Sequence, residues 1–370
     1  MRSFHEIVTL HFGVAFFLSL ALIVFGGNIS TNAQQTATNP SEARVSGIQL
    51  YNQGDTKAAT KALSAAVKKN KEDGEAWYYL GLASTRSKDL KNALKAFEAA
   101  VRLRPNFVPA HTALSNSLLF TSRVGEAENE AQRALSLDPQ NAEAHYLLGE
   151  IRLMKRSCGE AMEHAKRALK SAPNFAFGYL LKSQSIICDY AETSLKPFIF
   201  DGTVFRTSAG AEGITREQRL ASIKQAAQQF SEAAENLERF LQLDPQAEDS
   251  SMWKDQLAAL RVHSEPAQKP DAERTIFLGI EATTNAHVLV KPEPAYTQAA
   301  KEAQIEGTVV LRGVFAADGT VNNILVVSSL PKGLTQRAIE AARKIKFVPA
   351  EINGKPVSVF MQIEYNFNLY

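Results

Sequence analysis

The residues that can take part in catalysis or metal binding are few and dispersed along the 370-residue chain. The seven histidines are His5, His11, His111, His145, His164, His263 and His287. No two of them form a His-x-x-x-His pair, and the two cysteines, Cys158 and Cys188, are too few for a four-thiolate zinc site. No Gly-x-Ser-x-Gly elbow or glycine-rich phosphate loop occurs. We therefore expect a protein that is not an enzyme and that has neither a metal site nor a cofactor.

Two of these histidines, His111 and His145, lie in a pattern that repeats every 34 residues. The prolines and small residues of this pattern are Pro105, Pro139 and Pro173; Gly47, Gly81, Ser115 and Gly149; Ala59, Ala93, Ala127 and Ala161; and Ala66, Ala100, Ala134 and Ala168. Small side chains at fixed positions let two helices approach closely, and proline ends the second helix of each pair. The pattern predicts helix–turn–helix repeats in which the two histidines serve packing.

The residues that recur every 34 positions, which we call columns, resemble the tetratricopeptide repeat. Its pattern is carried best by Trp77-x-x-Leu80-Gly81, Ala93, Phe97, Ala100 and Pro105. Residues 40–73, 74–107, 108–141 and 142–175 are interpreted as four repeats, and 176–263 as a fifth repeat with an insertion and a capping helix. The resemblance implies a superhelix whose concave groove binds an extended peptide or another protein. It places Tyr78, Asn116, Tyr146 and Gln184 in that groove. The alternative is a spacer whose groove has no ligand.

The fifth repeat is interrupted by an insertion, because Pro173 and Pro245 are 72 residues apart rather than 34. Within the insertion, Pro197–Phe205 has the pattern of a small hairpin around an Asp-Gly turn. Thr215-x-x-Gln218 has the form of a capping box that begins a long helix. The aromatic residues of the hairpin either form a hook for a partner or pack on the repeats.

Residues 1–33 are interpreted as a cleaved secretory signal. The apolar run Gly13–Phe25 has 13 residues, and a helix of that length spans about 20 Å, less than the ~30 Å hydrocarbon core of a bilayer. The alternative is an uncleaved anchor in the inner membrane that recruits Ile7–Phe12. Both interpretations place the mature chain in the periplasm of a bacterial cell. In that oxidising compartment Cys158 and Cys188 either form a disulfide or remain two thiols.

The apolar pattern changes its period near the C-terminus. Residues 264–286 are expected to be a linker, since Ser264–Thr275 is polar and contains two prolines. In residues 287–370 the predicted elements are the strands Gly307–Ala316 and Val321–Ser328, the amphipathic helix Leu334–Ile345 and the alternating strand Val357–Phe367. This order predicts a small sheet that is covered on one face by a helix.

This C-terminal region resembles the TonB C-terminal domain. The motifs that carry the resemblance are Pro294-x-Tyr296, Ile305-x-Gly307-x-Val309, Asp318-Gly319-x-Val321, Ala338-x-x-Ala341, Phe347-x-Pro349 and Asn353-Gly354. In that family the domain grips the short N-terminal box of outer-membrane receptors, which pairs as an added strand with the last strand of the domain. The partner-binding residues that the resemblance implies are Glu293, Pro294, Tyr296, Ser358, Phe360, Gln362, Glu364 and Asn366.

Two functions follow as hypotheses. The first is a non-enzymatic scaffold of the cell envelope, in which the repeats carry a domain that binds a partner by strand addition. The second is a TonB-like energy transducer that acts on TonB-dependent outer-membrane receptors in transport. The chain lacks a proline-rich spacer, and Ile7 stands four residues before His11 where the transducer motif Ser-x-x-x-His has serine. Both departures favour the scaffold.

The predicted architecture is thus an α+β multidomain chain with an all-α repeat superhelix followed by a β-β-α-β domain. Its partners are expected to be proteins or extended peptides. The 41 Lys and Arg residues nearly balance the 39 Asp and Glu residues, and this balance argues against nucleic acid as a partner.

Overall fold

A computed structural model describes residues 40–193, 198–200, 205–207, 215–247, 249–268 and 274–369. These residues form two compact units, which divide between Leu148 and Gly149. The predicted secretory segment, residues 1–33, lies outside the described residues. Within the described ranges, no helix is both long and apolar enough to span a bilayer.

The first unit is built from paired helices. They are α1 (Pro40–Asn52), α2 (Thr56–Lys69), α3 (Gly74–Arg86), α4 (Leu90–Leu103), α5 (Val108–Phe120), α6 (Val124–Leu137) and the start of α7 (Ala142–Met154). Aspartate side chains cap α2, α3 and α4, since Asp55, Asp73 and Asp89 each accept a hydrogen bond from a backbone amide three residues later. Such caps satisfy amides that have no partner within the helix and define where each helix begins.

The small residues of the 34-residue period allow close contact between paired helices. Ala59, Ala93 and Ala127 have no exposed surface. A Cβ atom built on Gly81 would lie only 2.5 Å from Cε1 of Phe97. Any larger residue at position 81 would therefore push α3 and α4 apart, which confirms the packing role predicted for this column.

One residue in each repeat occupies the position of Trp77, and it has a role beyond packing. These residues are Trp77, His111, His145 and Tyr179. Each approaches the carbonyl oxygen of the residue six positions earlier: Trp77 Nε1 to Lys71 at 2.9 Å, His111 Nε2 to Pro105 at 3.0 Å, His145 Nε2 to Pro139 at 3.2 Å and, in the second unit, Tyr179 OH to Pro173 at 3.0 Å. The shared property of this column is a side-chain hydrogen-bond donor as well as bulk. The histidines thus hold the start of one repeat against the end of the previous one.

His111 is bonded through both ring nitrogens, because its Nδ1 lies 2.6 Å from Oε2 of Glu130. Burial lowers the pKa of His111, but the hydrogen bonds to Glu130 and to the Pro105 carbonyl outweigh burial and raise the pKa above its ordinary value. Two acceptors around one imidazole favour the protonated ring.

Replacing His111 by phenylalanine keeps the bulk and removes both donors. We expect His111→Phe to lower the free energy of unfolding by about 1–3 kcal/mol, because the buried ring loses its hydrogen bonds to the Pro105 carbonyl and to Glu130. Urea unfolding followed by circular dichroism measures the change. His287→Phe, at an exposed histidine, should change it by less than about 0.5 kcal/mol. Equal effects of the two variants would show that the column requires only bulk.

The second unit continues the helical repeats. Its helices are the end of α7, then α8 (Cys158–Ser171), α9 (Ala176–Thr193), α10 (Arg216–Leu243), α11 (Ser250–His263) and α12 (Glu265–Gln268). The predicted capping box is present at the start of α10, where Thr215 and Gln218 bond reciprocally. In the insertion, β1 (Phe198–Phe200) and β2 (Phe205–Thr207) pair antiparallel, so a hairpin is present and its second strand extends past the predicted end at Phe205. The predicted Asp-Gly turn lies outside the described residues.

One contact shows that the fifth repeat continues across the insertion. In the first unit, Ser115 Oγ donates to the Ala127 carbonyl at 2.7 Å. In the second unit, Ser183 Oγ donates to the Ala233 carbonyl at 2.8 Å. Because the donors and the acceptors occupy equivalent repeat positions, α10 packs on α9 as the second helix of a repeat despite the insertion between them.

Cys158 and Cys188 form a disulfide, and their Cα atoms are 5.6 Å apart. The bond joins the first residue of α8 to α9. Of the two alternatives left by the sequence, the structure has the disulfide.

The C-terminal part of the second unit is a sheet with a covering helix. The elements are β3 (Ile276–Phe277), β4 (His287–Val290), α13 (Gln298–Glu302), β5 (Gly307–Phe315), β6 (Val321–Ser328), α14 (Leu334–Ala342), β7 (Lys346–Val348), β8 (Ala350–Ile352) and β9 (Lys355–Phe367). The order of the main sheet is β3-β9-β5-β6, while β8 pairs with β9 and β4 with β7. The predicted order strand, strand, helix, strand corresponds to β5, β6, α14 and β9. Helix α14 ends at Ala342, three residues earlier than predicted.

The range expected to be a linker contains ordered elements. Besides α12, it includes β3 and a 3-10 helix at Gly279–Glu281. Ile276 and Phe277 pair in parallel with Ser358 and Val359 of β9. A two-residue strand in a polar segment has no sequence period, so pattern analysis could not detect it.

Glu150, in the second-unit part of α7, is a buried acid with 1% of its surface exposed. Its Oε1 atom has no hydrogen-bond partner in the described part of the chain. Burial raises the pKa of Glu150 to about 8, so the folded protein holds this carboxyl neutral at neutral pH.

Because the pKa of Glu150 is higher in the folded state than in the unfolded state, stability falls as the pH rises from about 4.5 towards 8. We expect Glu150→Gln to remove this contribution, so the stability advantage of the variant grows with pH by on the order of 1 kcal/mol per unit. Urea unfolding between pH 5 and 8 measures it. Glu163→Gln, at an exposed glutamate, serves as the control. A constant difference between Glu150→Gln and the wild-type chain would contradict the prediction.

Candidate functional site

The last strand, β9, has one edge that is only partly paired. On one side it pairs with β5 over nine positions, from Val359 with Phe315 to Phe367 with Gly307. On the other side β3 pairs only at Ser358 and Val359. No other strand of the described residues pairs with β9 on that side beyond Val359. We call the unpaired stretch, residues 360–367, the open edge.

Lys291 indicates which main-chain groups face this open edge. Its Nζ donates to the main-chain oxygen of Glu364 at 2.7 Å and lies 4.8 Å from the ring centroid of Tyr365. In an antiparallel strand, the amide and carbonyl of one residue point to the same side, and the side alternates along the strand. A Glu364 carbonyl that reaches Lys291 therefore places the main-chain groups of Phe360, Gln362 and Asn366 on the open side as well.

The predicted edge residues differ in their surroundings. Ser358 lies outside the open edge, since β3 pairs with it and its Oγ accepts a hydrogen bond from the Ala317 amide. Gln362 and Glu364 are half-buried, and their side chains are joined by a 2.6 Å hydrogen bond. Asn366 is exposed, and its Oδ1 accepts from Thr308 Oγ1 at 2.7 Å. The open edge therefore has polar side chains at three alternate positions.

The side chain of Phe360, a predicted partner-binding residue, is instead buried, with 7% of its surface exposed. It packs in a cluster with Leu278 and Val314, and its ring lies 4.9 Å from that of His263. Only the main chain of Phe360 can therefore take part in pairing. The sheet is covered on this second face by the repeat helices, whereas the sequence predicted one covered face.

Arg312, in the middle of β5, is central to that second face. Its Nη1 donates to the Tyr190 hydroxyl of α9 at 2.6 Å. The guanidinium carbon lies 5.4 Å from the ring centroids of both Phe230 and Phe360, a distance at which a cation is attracted to an aromatic face. Arg312 has no signal in the sequence, because its partners are remote along the chain.

The segment that precedes α13 lies against the end of β9. The Tyr296 ring packs edge-to-face on Phe367 with centroids 5.4 Å apart, and its hydroxyl donates to the Ile305 carbonyl at 2.6 Å. Burial and the charge of exposed Glu293 raise the pKa of Tyr365. Pro294, between them, is half-buried. The predicted residues Glu293, Pro294 and Tyr296 thus flank the strand to which the open edge belongs.

The predicted groove residues of the first unit are less accessible than expected. Tyr146 has no exposed surface and Asn116 only 4%. Tyr78 is half-buried, and its ring lies 5.0 Å from that of Phe107. Burial raises its pKa. Tyr146 cannot contact a ligand in this conformation, which corrects its assignment to the groove.

Asn116, Glu150 and Gln184 occupy the same position in successive repeats. Each has a buried side-chain oxygen without a hydrogen-bond partner among the described residues. Glu150 was missed by the sequence analysis, although its spacing of 34 residues from Asn116 and from Gln184 could have identified it.

Comparison with known proteins supports both parts of the architecture. The family model of the tetratricopeptide repeat matches residues 46–106 and 112–174, and that of the Gram-negative bacterial TonB protein C-terminal matches residues 292–369. The chain is similar to the protein TonB of Xanthomonas campestris pv. campestris strain B100, with 36% identity over 77 residues. That alignment covers 20% of this chain and 34% of the relative, so the chain spans about a third of the length of the curated relatives that it matches.

Two solved structures align with part of the chain. The crystal structure of MamA has a TM-score of 0.40 and 18% identity, covering 55% of this chain and 95% of MamA. A thermophilic tetratricopeptide protein of Thermus thermophilus has a TM-score of 0.41 and 16% identity, covering 60% of this chain and 98% of that protein. The matches to the two family models identify the chain as a tetratricopeptide repeat protein with a TonB C-terminal domain.

Proposed function

We propose that this chain is a non-enzymatic interaction protein of the cell envelope whose TonB C-terminal domain binds an extended partner segment by strand addition. The single observation that carries the proposal is the open edge of β9, which pairs with β5 on one side and has no described strand on the other beyond Val359. Unpaired main-chain groups of this kind are a template for a strand of another chain.

The affinity in this mechanism comes from the main chain. Amides and carbonyls at Phe360, Gln362, Glu364 and Asn366 face the open side, and each pair of new hydrogen bonds replaces bonds to water. The Glu364 carbonyl is engaged by Lys291, so a partner strand must displace or bypass that ammonium group. Side-chain contacts to the polar residues of the edge supply selectivity.

The repeats are proposed to act as the scaffold for a second protein. Within the first unit, half-buried Tyr78 keeps part of its aromatic surface exposed for such a partner, whereas the side-chain oxygen of Asn116 is buried.

The envelope location rests on two observations. The Cys158–Cys188 disulfide persists in oxidising compartments such as the periplasm. The similarity to TonB over the C-terminal part of the chain points to the same place. The apolar N-terminal segment, as a cleaved secretory signal, would deliver the chain there.

Proline at position 364 tests strand addition. Glu364→Pro removes a main-chain donor from the open side while leaving the pairing of β9 with β5 intact, because that amide does not face β5. We expect at least a tenfold loss of affinity for a synthetic peptide with the N-terminal box of a TonB-dependent outer-membrane receptor, measured by isothermal titration calorimetry. Circular dichroism should show unchanged helix content.

Two further variants separate the main-chain effect from others. Glu364→Ala retains the amide and should bind the peptide with an affinity near that of the wild-type chain. Ile363→Pro removes an amide that faces β5 and should destabilise the domain itself. Undiminished binding by Glu364→Pro, or no binding of such peptides by the wild-type chain, would count against the mechanism.

An energy transducer of the TonB type is the second candidate, and the 36% identity to TonB supports it. This function needs an N-terminal segment that stays in the inner membrane. N-terminal sequencing of the mature protein distinguishes the two. Cleavage after Ala33 favours the scaffold, whereas a retained segment together with a requirement for the proton gradient in receptor-dependent uptake favours the transducer.

A further inference from the structure

The sheet of the TonB C-terminal domain has a second outer strand, β6, at the margin opposite β9. An outer strand with free amides and carbonyls would accept another strand as readily as β9 does. The repeat helix α11 lies against this margin. We infer that Gln256 of α11 closes the β6 edge, so that strand addition is confined to β9 and a second copy of the chain cannot pair with β6.

The carboxamide of Gln256 bonds to the main chain of β6 at two points. Its Nε2 donates to the Ile324 carbonyl at 3.2 Å, and its Oε1 accepts from the Val326 amide at 2.9 Å. A residue of a neighbouring parallel strand bonds to the same pair of groups, a carbonyl and the amide two residues later. The side-chain amide therefore takes the place of the main-chain N–H and C=O of one residue of an added strand.

A second contact from the same helix face extends the closure. His263 lies seven residues after Gln256, two helical turns further on, and its Nε2–H donates to the Asn323 carbonyl at 2.9 Å. Burial, with a smaller effect from Arg312, lowers the pKa of His263 to about 3, so the ring is neutral. Gln256 and His263 are 6% and 0% exposed, which leaves no space for another strand beside them.

The end of β6 is held from another repeat element. Arg156, in the turn between α7 and α8, donates from Nη1 to Ser328 Oγ at 2.9 Å. This residue has a positive φ of 58°, and the turn directly precedes Cys158 of the disulfide. Side chains from two parts of the repeat region thus contact β6 between Asn323 and Ser328.

In its biological meaning, this inference rests on the proposed strand addition. The closure of β6 itself can be measured without a partner. In the wild-type chain we expect the Val326 amide to exchange hydrogen as slowly as the amides of the β5–β9 ladder. In Gln256→Ala we expect that exchange to accelerate at least tenfold, measured by hydrogen exchange with NMR detection. Fast exchange of Val326 in the wild-type chain would overturn the inference without any variant.

Asp255→Ala is the matched control, because Asp255 is exposed and adjacent in α11. It should leave Val326 protected. Gln256→Met is the second variant, since it keeps the length of the side chain and removes both hydrogen bonds; it should expose Val326 as Gln256→Ala does. Unchanged exchange in both Gln256 variants would overturn the assignment.

Light scattering over a range of protein concentrations tests the second half of the inference. Gln256→Ala should self-associate more strongly than the wild-type chain and Asp255→Ala. Equal self-association of the three proteins would overturn the role in blocking a second copy. Failure of the receptor-box peptide to bind the wild-type chain bears on the proposed function alone.

Discussion

The main-chain hydrogen bonds at the two margins of the C-terminal sheet constrain everything else in this half of the molecule. A strand at the margin of a sheet has amides and carbonyls that must find partners or face water. At β6 the partners are side chains of the repeat region. At β9 a short parallel strand and one lysine engage only part of the margin. Among the described residues, the main sheet is therefore bonded to side chains at β6 and only partly paired at β9.

The contact between the sheet and the helices also explains why the last repeat differs from the others. Helix α11 has Trp253 and Leu260 buried at 3% and 0%, as expected for a helix that caps a repeat stack. Its Gln256 and His263 then contact a β-strand instead of a further helix. A capping helix in a solitary repeat array faces water on its outer side and is polar there. Here polar side chains on that helix satisfy main-chain groups of the sheet.

Much of the fold was predictable, because the local signals are repetitive. The 34-residue period depends on residues such as Gly81 and Ala93, whose small size is required at every recurrence. The alternation of Val359, Met361 and Ile363 in β9 reflects one buried face. The contacts at the β6 margin and on the second covered face were not predictable, since Gln256 is 68 residues from Ile324 and Arg312 is 122 residues from Tyr190. No local pattern records such contacts.

The roles of individual residues in the candidate site were predictable only in part, again because their contacts come from residues that are remote in sequence. The resemblance to the TonB family indicated the strand, but not that Phe360 would be buried by His263 or that β3 would pair with Ser358. The histidines of the repeats show the opposite case. Their column suggested bulk, and the structure shows that the ring nitrogens bond to backbone carbonyls.

The straight ladder between β5 and β9 has a mechanical consequence. Its hydrogen bonds run perpendicular to the strands. A chain seated beside β9 and pulled along its own axis would load all of its bonds together in shear, whereas a sideways pull would unzip them one after another. Tension applied in the shear direction would pass through β9 and β5 to Arg312 and Tyr190, and so into the helical half of the second unit.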